Sequence, residues 1–350
     1  MRGSDKQLRA VAAALGVAGA AIVLAASLAA ARPDAARPAS SLTVPGSGVG
    51  PLIPAGFAGL SMEYRGLAAY AGTDPRAVDP PFLELLRDIS PTQRPVLRVG
   101  GDSTDWTWWP VPHMARPPGV KYDLTPNFLA VTRSLARTLR ARLILGINLE
   151  ADSERVAGAE ATAMIDRIGA GSIDALELGN EPELYSTFGW YRSATGHQVP
   201  GRPPSWNLQT FIGDFSRLAR GLPRVPLAGP SGGGSSWLPF LGTFLGHEPA
   251  VALATLHAYP LKHCVPSQTV TSGQLLADSS SLGLATYLGP YLAMARRRGV
   301  PARVDEINGV SCGGQRGVSD TFGAALWSLD ALFELARAGV GGVNFHTVPG

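Results

Sequence analysis

The chain has 350 residues, of which 45% are hydrophobic and 16% charged, a composition that supplies a large core and excludes an intrinsically disordered protein. One (β/α)8 barrel of roughly 250 residues would fit this length with segments to spare. The formal net charge is +3 and the basic residues are scattered, without the basic stripe of a nucleic-acid-binding surface, so we expect no nucleic-acid partner.

The N-terminal segment predicts export. Arg2, Lys6 and Arg9 precede an uncharged run from Ala10 to Ala31. This pattern indicates that residues 1–31 are a signal peptide, or a membrane anchor if they are not cleaved, because about 20 apolar residues can span a bilayer. We therefore expect a secreted or cell-surface protein that contacts a membrane only through residues 10–31, if that run is retained.

Residues 32–50 are rich in Pro, Ala and Ser and predict a linker, followed by one domain over residues 51–350. In that domain, short apolar runs alternate with longer segments of helical periodicity, which is typical of βαβ units. The predicted strands are Phe57–Met62, Val96–Val99, Leu143–Ile147, Ala175–Leu178, Pro226–Ala228, Ala252–His257, Arg303–Glu306 and Val343–His346. The predicted helices are Phe82–Ile89, Phe128–Arg140, Arg155–Ile168, Leu208–Arg220, Leu238–Leu245, Leu282–Arg298 and Phe322–Ala338.

Eight strands with seven intervening helices favour a closed (β/α)8 barrel over an open doubly wound sheet. A dinucleotide fold is disfavoured, because no Gly-x-Gly-x-x-Gly turn follows the first predicted strand. The sequence ends at Gly350, just after the eighth strand, so we expect a barrel truncated before its closing helix.

Polar residues are concentrated at the ends of the predicted strands, where the active sites of such barrels lie. They are Glu63, Arg98, Asp102, Asn148, Asn180, Glu181, His257, Tyr259, Glu306 and His346. Glu181 and Glu306 end strands four and seven, on opposite sides of the barrel mouth. Glycoside cleavage needs such a pair: one acid protonates the leaving oxygen and one carboxylate acts at the anomeric carbon. The structural alternative is that each glutamate caps a helix or pairs with Arg98.

Several motifs carry a resemblance to a known family. They are Gly59–Glu63, Leu97–Asp105, Glu177–Pro182 with its Asn-Glu-Pro, the His-x-Tyr pair of strand six, and the stretch from Glu306 to Phe322. In this order they resemble glycoside hydrolase family 79 of clan A, the β-glucuronidase and heparanase-like enzymes. The resemblance implies a retaining β-glycosidase that acts on terminal uronic-acid-type sugars by double displacement and needs no cofactor and no metal.

The resemblance also assigns roles to the strand-end residues. It implies that Glu181 is the general acid/base, that Glu306 is the nucleophile, and that Asn180 binds the 2-hydroxyl of the sugar. Tyr259 and Arg98 would keep the nucleophile ionised.

The remaining candidates line the sugar pocket. Glu63 and Asp102 match positions that bind hydroxyls of the terminal sugar, and loop capping is their structural alternative. His257 belongs to the substrate-binding set through the His-x-Tyr pair.

The sequence departs from the family pattern in three respects. Ser311 stands where family members carry a Tyr five residues after the nucleophile, and a further site tyrosine falls beyond Gly350. The C-terminal β-sandwich of the family is absent from these residues, and its absence would expose apolar barrel surface. Two alternatives therefore stay open: a clan A glycosidase for a neutral sugar, or an inactive surface barrel that binds glycans.

Cys264 and Cys312 are the only two cysteines. They follow neighbouring strands six and seven, and an exported chain favours a disulfide between them at the rim of the site. Their surroundings lack the close Cys/His spacing of a zinc site.

Overall fold

The computed structural model describes residues 52–91, 94–234 and 236–347. The predicted export segment and the whole predicted linker lie outside these residues, and both stay predictions. Within the part described, no helix combines the length and hydropathy needed to cross a membrane.

Eight parallel strands form a closed barrel in which each strand pairs with its neighbours in chain order, and the last pairs with the first. The strands are β1 (Ala58–Glu63), β2 (Val96–Gly100), β3 (Arg142–Ile147), β4 (Ile173–Leu178), β5 (Leu227–Gly232), β6 (Val251–Ala258), β7 (Ala302–Ile307) and β8 (Val343–Thr347). The predicted (β/α)8 barrel is thus confirmed.

Helices connect the successive strands outside the barrel. They are α1 (Leu67–Ala71), α2 (Pro80–Ile89), α3 (Pro126–Leu139), α4 (Glu154–Ile168), α5 (Leu208–Arg220), α6 (Leu241–His247), α7 (Ser272–Leu275), α8 (Leu282–Arg297) and α9 (Phe322–Ala338). Each sequence-predicted helix is present, although the predicted helix Leu238–Leu245 begins with a 3-10 turn over Leu238–Phe240 before α6.

Local capping explains where several of these helices begin. The Thr125 hydroxyl accepts the N–H of Phe128 at the start of α3, where Pro126 needs no hydrogen-bond acceptor. Asn207 and Thr210 form a reciprocal capping box at the start of α5. Such caps contribute about 1 kcal/mol each to stability.

The fifth strand is longer than the sequence predicts. The prediction stopped at Ala228 because glycine and proline interrupt most strands, whereas β5 continues through Gly229 and Pro230 to Gly232. The N–H of Ser231 is donated to the Thr255 hydroxyl at 3.1 Å, so a side chain replaces the usual backbone partner. The extension carries Ser231 into the functional site.

The barrel interior changes character along its axis. At its base, Val96, Ile144, Ala175 and Ala228 form a separate apolar cluster. Two residues further along β2 lies the fully buried Arg98, and the corresponding positions of β4 and β7 hold Glu177 and Asp305. Because strand side chains alternate between faces, residues two apart share the interior. An apolar base therefore supports a charged layer directly below the barrel mouth.

Candidate active site

Arg98 is the central cation of this charged layer. Its Nε lies 2.6 Å from Glu177 Oε2 and 3.0 Å from Asp305 Oδ2, and its Nη1 lies 2.7 Å from Glu306 Oε2. Its Nη2 donates to Asn180 Oδ1 at 2.9 Å. The planar guanidinium presents these donors in a fixed arrangement. One buried side chain thus orients two sequence-predicted site residues, Asn180 and Glu306.

Glu306 is held as a carboxylate. Tyr259 donates its hydroxyl to Glu306 Oε1 at 2.8 Å, while Oε2 accepts from Arg98. Burial alone would raise the pKa of Glu306. The positive charges of His257, His346 and Arg98, together with the Tyr259 hydrogen bond, outweigh burial and lower that pKa well below its ordinary value. The side chain is therefore ionised at neutral pH.

Glu181 faces Glu306 from the end of β4 and is more open to solvent. Its side chain is 25% exposed, against 9% for Glu306. The Glu181 backbone adopts a left-handed conformation with φ of 45°, and its N–H is donated to the Ser231 carbonyl at 2.8 Å. The carboxylate is thus directed into the barrel mouth by a strained turn that β5 stabilises.

His257 lies between the two glutamates. Its Nδ1 is 3.1 Å from Glu181 Oε1 and 3.9 Å from Glu306 Oε2, and its Nε2 is 3.2 Å from the Ser231 hydroxyl. Burial would lower the pKa of His257, but the charge of Glu306 and the hydrogen bond to Glu181 raise it to about 10. A buried imidazolium is therefore in contact with one catalytic candidate and close to the other.

The same three side chains are the one group of possible metal ligands among the described residues. One ligand atom each from Glu181, His257 and Glu306 lies within 4.8 Å of the other two. A metal would have to displace the imidazolium proton and would lie beside the guanidinium of Arg98, which is already 2.7 Å from Glu306. These positive charges disfavour a divalent cation at this position.

Glu63, at the end of β1, is buried beneath the pocket. Its Oε2 accepts the backbone N–H of Ser103 at 2.8 Å and also contacts the Ser103 hydroxyl. His346 Nε2 lies 3.6 Å from Glu63 Oε1. Burial opposes ionisation, but His346 and Ser103 lower the pKa of Glu63 below its ordinary value. The carboxylate can accept hydroxyl hydrogens from a sugar.

Asp102, at the end of β2, is exposed at the barrel mouth. It accepts a hydrogen bond from Asn180 Nδ2 at 3.3 Å. Desolvation by the surrounding protein and the negative charges of Glu63, Glu306 and Glu181 raise the pKa of Asp102 to about 7.

The structure thus brings all eight residues predicted for the site together at the carboxyl-terminal end of the barrel. They are Glu63, Arg98, Asp102, Asn180, Glu181, His257, Tyr259 and Glu306.

Sequence reasoning gave no role to four residues that support this pocket. Three of them, Glu177, Ser231 and Asp305, contact Arg98 from different strands. The fourth, Asp105, accepts hydrogen bonds from the N–H groups of Leu149, Glu150 and Asn180 and from the Tyr185 hydroxyl. The sequence did carry a signal for Glu177 and Asp305, because each is an acidic residue within an otherwise apolar strand.

Cys264 and Cys312 form a disulfide with a Cα–Cα distance of 5.1 Å. An isolated parallel bridge between Leu261 and Val310 joins the same two loops. Ser311, at the position of the missing family tyrosine, lies next to the disulfide, with its hydroxyl 3.5 Å from Cys264 Sγ.

A closed (β/α)8 barrel with two carboxylates facing each other across its carboxyl-terminal end is the architecture of the clan A glycoside hydrolases. The chain is 25% identical over 334 residues to a β-glucuronidase of Neurospora crassa, covering 83% of this chain and 56% of that protein. It is also 25% identical over 326 residues to a β-glucuronidase of Aspergillus niger, covering 83% and 58%. These relatives confirm the resemblance to the β-glucuronidase family. The chain spans less than three fifths of the length of either.

Solved structures share the fold. A 4-O-α-L-rhamnosyl-β-D-glucuronidase from Fusarium oxysporum 12S superposes with a TM-score of 0.64 at 23% identity, covering 85% of this chain and 65% of that one. A family 51 arabinofuranosidase from Xanthomonas axonopodis pv. citri gives a TM-score of 0.53 at 14% identity, covering 85% and 67%. No protein-family model matches the chain.

Proposed function

We propose that the chain is a retaining β-glycosidase of the β-glucuronidase type, with Glu181 as general acid/base and Glu306 as nucleophile. The observation that carries the proposal is the pairing of an ionised Glu306, held by Arg98 and Tyr259, with a more exposed Glu181 across His257. Ligand atoms of the two carboxylates lie within 4.8 Å of each other, which supports retention, because retaining enzymes separate their carboxyl groups by about 5–5.5 Å.

The reaction takes place in two displacements. Protonated Glu181 gives its proton to the glycosidic oxygen while Glu306 attacks the anomeric carbon, so the leaving group departs as an alcohol and a glycosyl ester forms. Ionised Glu181 then takes a proton from water, whose oxygen displaces Glu306 from the same carbon. Asn180, fixed by Arg98, is positioned to hydrogen-bond the 2-hydroxyl, a contact that strengthens in the oxocarbenium-like transition state.

The substrate class rests on the relatives. Both curated proteins named above are β-glucuronidases, which favours a β-glucuronide as the substrate of this chain. Ser311 favours a second candidate, a glycosidase for a neutral sugar, because the position lacks the phenol that family members carry there.

The test is hydrolysis of aryl β-glycosides by the purified protein beside its Glu181→Gln and Glu306→Gln variants. We expect release of phenol from the β-glucuronide and loss of at least about a hundredfold in each variant, since both groups act in the transition state. Faster hydrolysis of the glucoside, xyloside or arabinoside would establish the second candidate. No turnover on any of these substrates, with the glycosides still bound, would indicate a binding-only barrel.

We also propose that the barrel is exported. The cationic flank and apolar run of residues 1–31 support this, and a disulfide at the rim of the site is typical of oxidising compartments. Fractionation of the expressing cells tests it: we expect the protein in the medium or at the surface, and recovery in the cytoplasm with free thiols would contradict the proposal.

A further inference from the structure

Two cations converge on one indole ring beside the candidate active site. Lys121 Nζ lies 3.3 Å from the centroid of the Trp106 ring, and the Arg65 guanidinium carbon lies 5.9 Å from it. Both cationic side chains are exposed, and Trp106 is half-buried. We call Arg65, Trp106 and Lys121 the cation–indole cluster.

The backbone around the cluster is fixed. Arg65 lies in the 3-10 turn that directly follows Glu63, and its neighbour Tyr64 donates a buried hydrogen bond to the Gly146 carbonyl at 2.6 Å. On the other side, the N–H of Lys121 is donated to the Trp106 carbonyl at 2.7 Å. Hydrogen bonds in the loops after β1 and β2 thus hold the backbone that carries the two cations.

Neither positive charge forms an ion pair with a carboxylate in the part of the chain that the structure describes. Among residues 52–91, 94–234 and 236–347, no carboxylate lies within 4.0 Å of the terminal nitrogens of Arg65 or Lys121. Partial burial and the charge of Arg65 lower the pKa of Lys121, while the negative charges of Asp102 and Glu150 act in the opposite direction. Two cations held within reach of each other repel, and an anion between them removes the repulsion.

The position of the cluster relates it to a bound sugar. It follows Glu63 and Asp102 along the chain, which we place at the hydroxyls of the terminal sugar, on the side opposite the leaving group. We propose that the cation–indole cluster binds an anionic group of the glycan on this side, a carboxylate or a sulfate ester. Arg65 and Lys121 supply the charge, and the Trp106 ring holds both cations near each other.

The anion can come from two sources, and both present the same chemistry. It belongs either to the sugar that is cleaved, as the carboxylate of a glucuronide, or to an additional sugar attached to its outer end. This inference rests on the proposed function for the orientation of the sugar.

The test measures binding rather than turnover, so that its outcome is separate from that of the proposed function. In a Glu306→Gln background, calorimetry compares three probes: an aryl β-glucoside, an aryl β-glucuronide, and an aryl β-glucoside that carries a uronic acid at O4. The variants are Arg65→Gln, Lys121→Gln and the double variant. Lys121→Arg keeps the charge, and Lys262→Gln removes an exposed cation from another loop of the catalytic face.

We expect at least one charged probe to bind more tightly than the glucoside, with an advantage that falls as salt is added. Each single variant weakens the binding of that probe about threefold to fivefold and the double variant about tenfold, as expected for rim charges. Lys121→Arg and Lys262→Gln leave the affinity for that probe unchanged. If the variants lose affinity for the glucuronide alone, the anion belongs to the cleaved sugar. If they lose affinity for the O4-extended probe alone, the anion belongs to the outer sugar. Equal weakening of the neutral glucoside, or no change with either charged probe, would overturn the proposal.

Discussion

At the scale of single residues, the site depends on one buried guanidinium. Arg98 compensates the charge of Glu177 and Glu306 and approaches Asp305. Glu177 and Asp305 are fully buried, and the side chain of Glu306 is 9% exposed. The negative charge of Glu177 and burial raise the pKa of Asp305, whereas Arg98 opposes burial and lowers the pKa of Glu177. These opposite shifts favour an ionised Glu177 and a protonated Asp305, which limits the negative charge buried around Arg98.

Replacing Arg98 by Met is expected to destabilise the barrel by about 3–5 kcal/mol, because removal of one partner leaves buried charges uncompensated. Arg98→Lys keeps the charge but loses the planar set of donors that reaches Glu177, Glu306 and Asn180, so it should be less destabilising and still abolish most activity. Urea unfolding of both variants measures the difference, with the exposed Arg133→Met as control. Equal stability of the parent and Arg98→Met would contradict the arrangement described.

Tyr259→Phe removes the hydrogen bond that lowers the pKa of Glu306. Activity requires ionised Glu306, so activity is lost as the pH falls through that pKa. A higher pKa must therefore move the acidic limb of kcat/KM to higher pH. We expect this shift together with a fall in kcat of about a hundredfold to a thousandfold, as for the loss of one preorganised hydrogen bond. An unshifted acidic limb would show that the phenol does not act on Glu306.

At the scale of elements, the apolar strand runs and helical periodicity predicted the barrel, and strand ends located Glu181 and Glu306. The extension of β5 beyond Ala228 could not be predicted, because its Gly-Pro sequence is typical of a loop and pairing with the neighbouring β6 holds it extended. For the same reason Ser231 was missed. The contacts of Asp105 could not be predicted from the sequence either, since its partners belong to the loops of two other strands.

The disulfide joins the loops after β6 and β7, and its cysteines are separated by 48 in sequence number. Cross-linking a loop of this length stabilises a protein by about 4 kcal/mol in the chain-entropy model. Cys264→Ser with Cys312→Ser should therefore lower the melting temperature, and it should affect KM more than kcat because it loosens the rim rather than the carboxylates. A melting temperature equal to that of the parent would count against a structural contribution. Ser205→Ala, at an exposed position outside these two loops, is the control.

At the scale of the whole molecule, the described barrel exposes an apolar helix face. Phe322, Leu326, Leu329 and Phe333 of α9 are 78%, 46%, 56% and 55% exposed and recur at helical spacing. A cavity of about 310 Å³ beside them is lined by Ile53, Phe57, Ala58, Ile89, Ser90, Pro91, Leu329, Leu332 and Phe333. A contiguous apolar surface of this kind favours association.

The barrel domain, residues 51–350, is therefore expected to self-associate at micromolar concentration. Leu329→Glu combined with Phe333→Lys should shift it toward the monomer without changing hydrolysis, because α9 packs outside the barrel and the carboxylates lie at its mouth. Light scattering after size exclusion measures the change, with Leu85→Glu on α2 as a matched exposed position. Identical association of parent and double variant would show that α9 is not the contact surface.

The central claim is covalent catalysis by Glu306, and trapping the glycosyl ester tests it most directly. A 2-deoxy-2-fluoro-β-glucuronyl fluoride slows both displacements, but its good leaving group lets the ester accumulate. After proteolysis, mass spectrometry should find the sugar on the peptide containing Glu306, and Glu306→Gln should remain unlabelled. A label on another residue, or hydrolysis of an aryl glycoside with inversion at the anomeric carbon, would contradict the account.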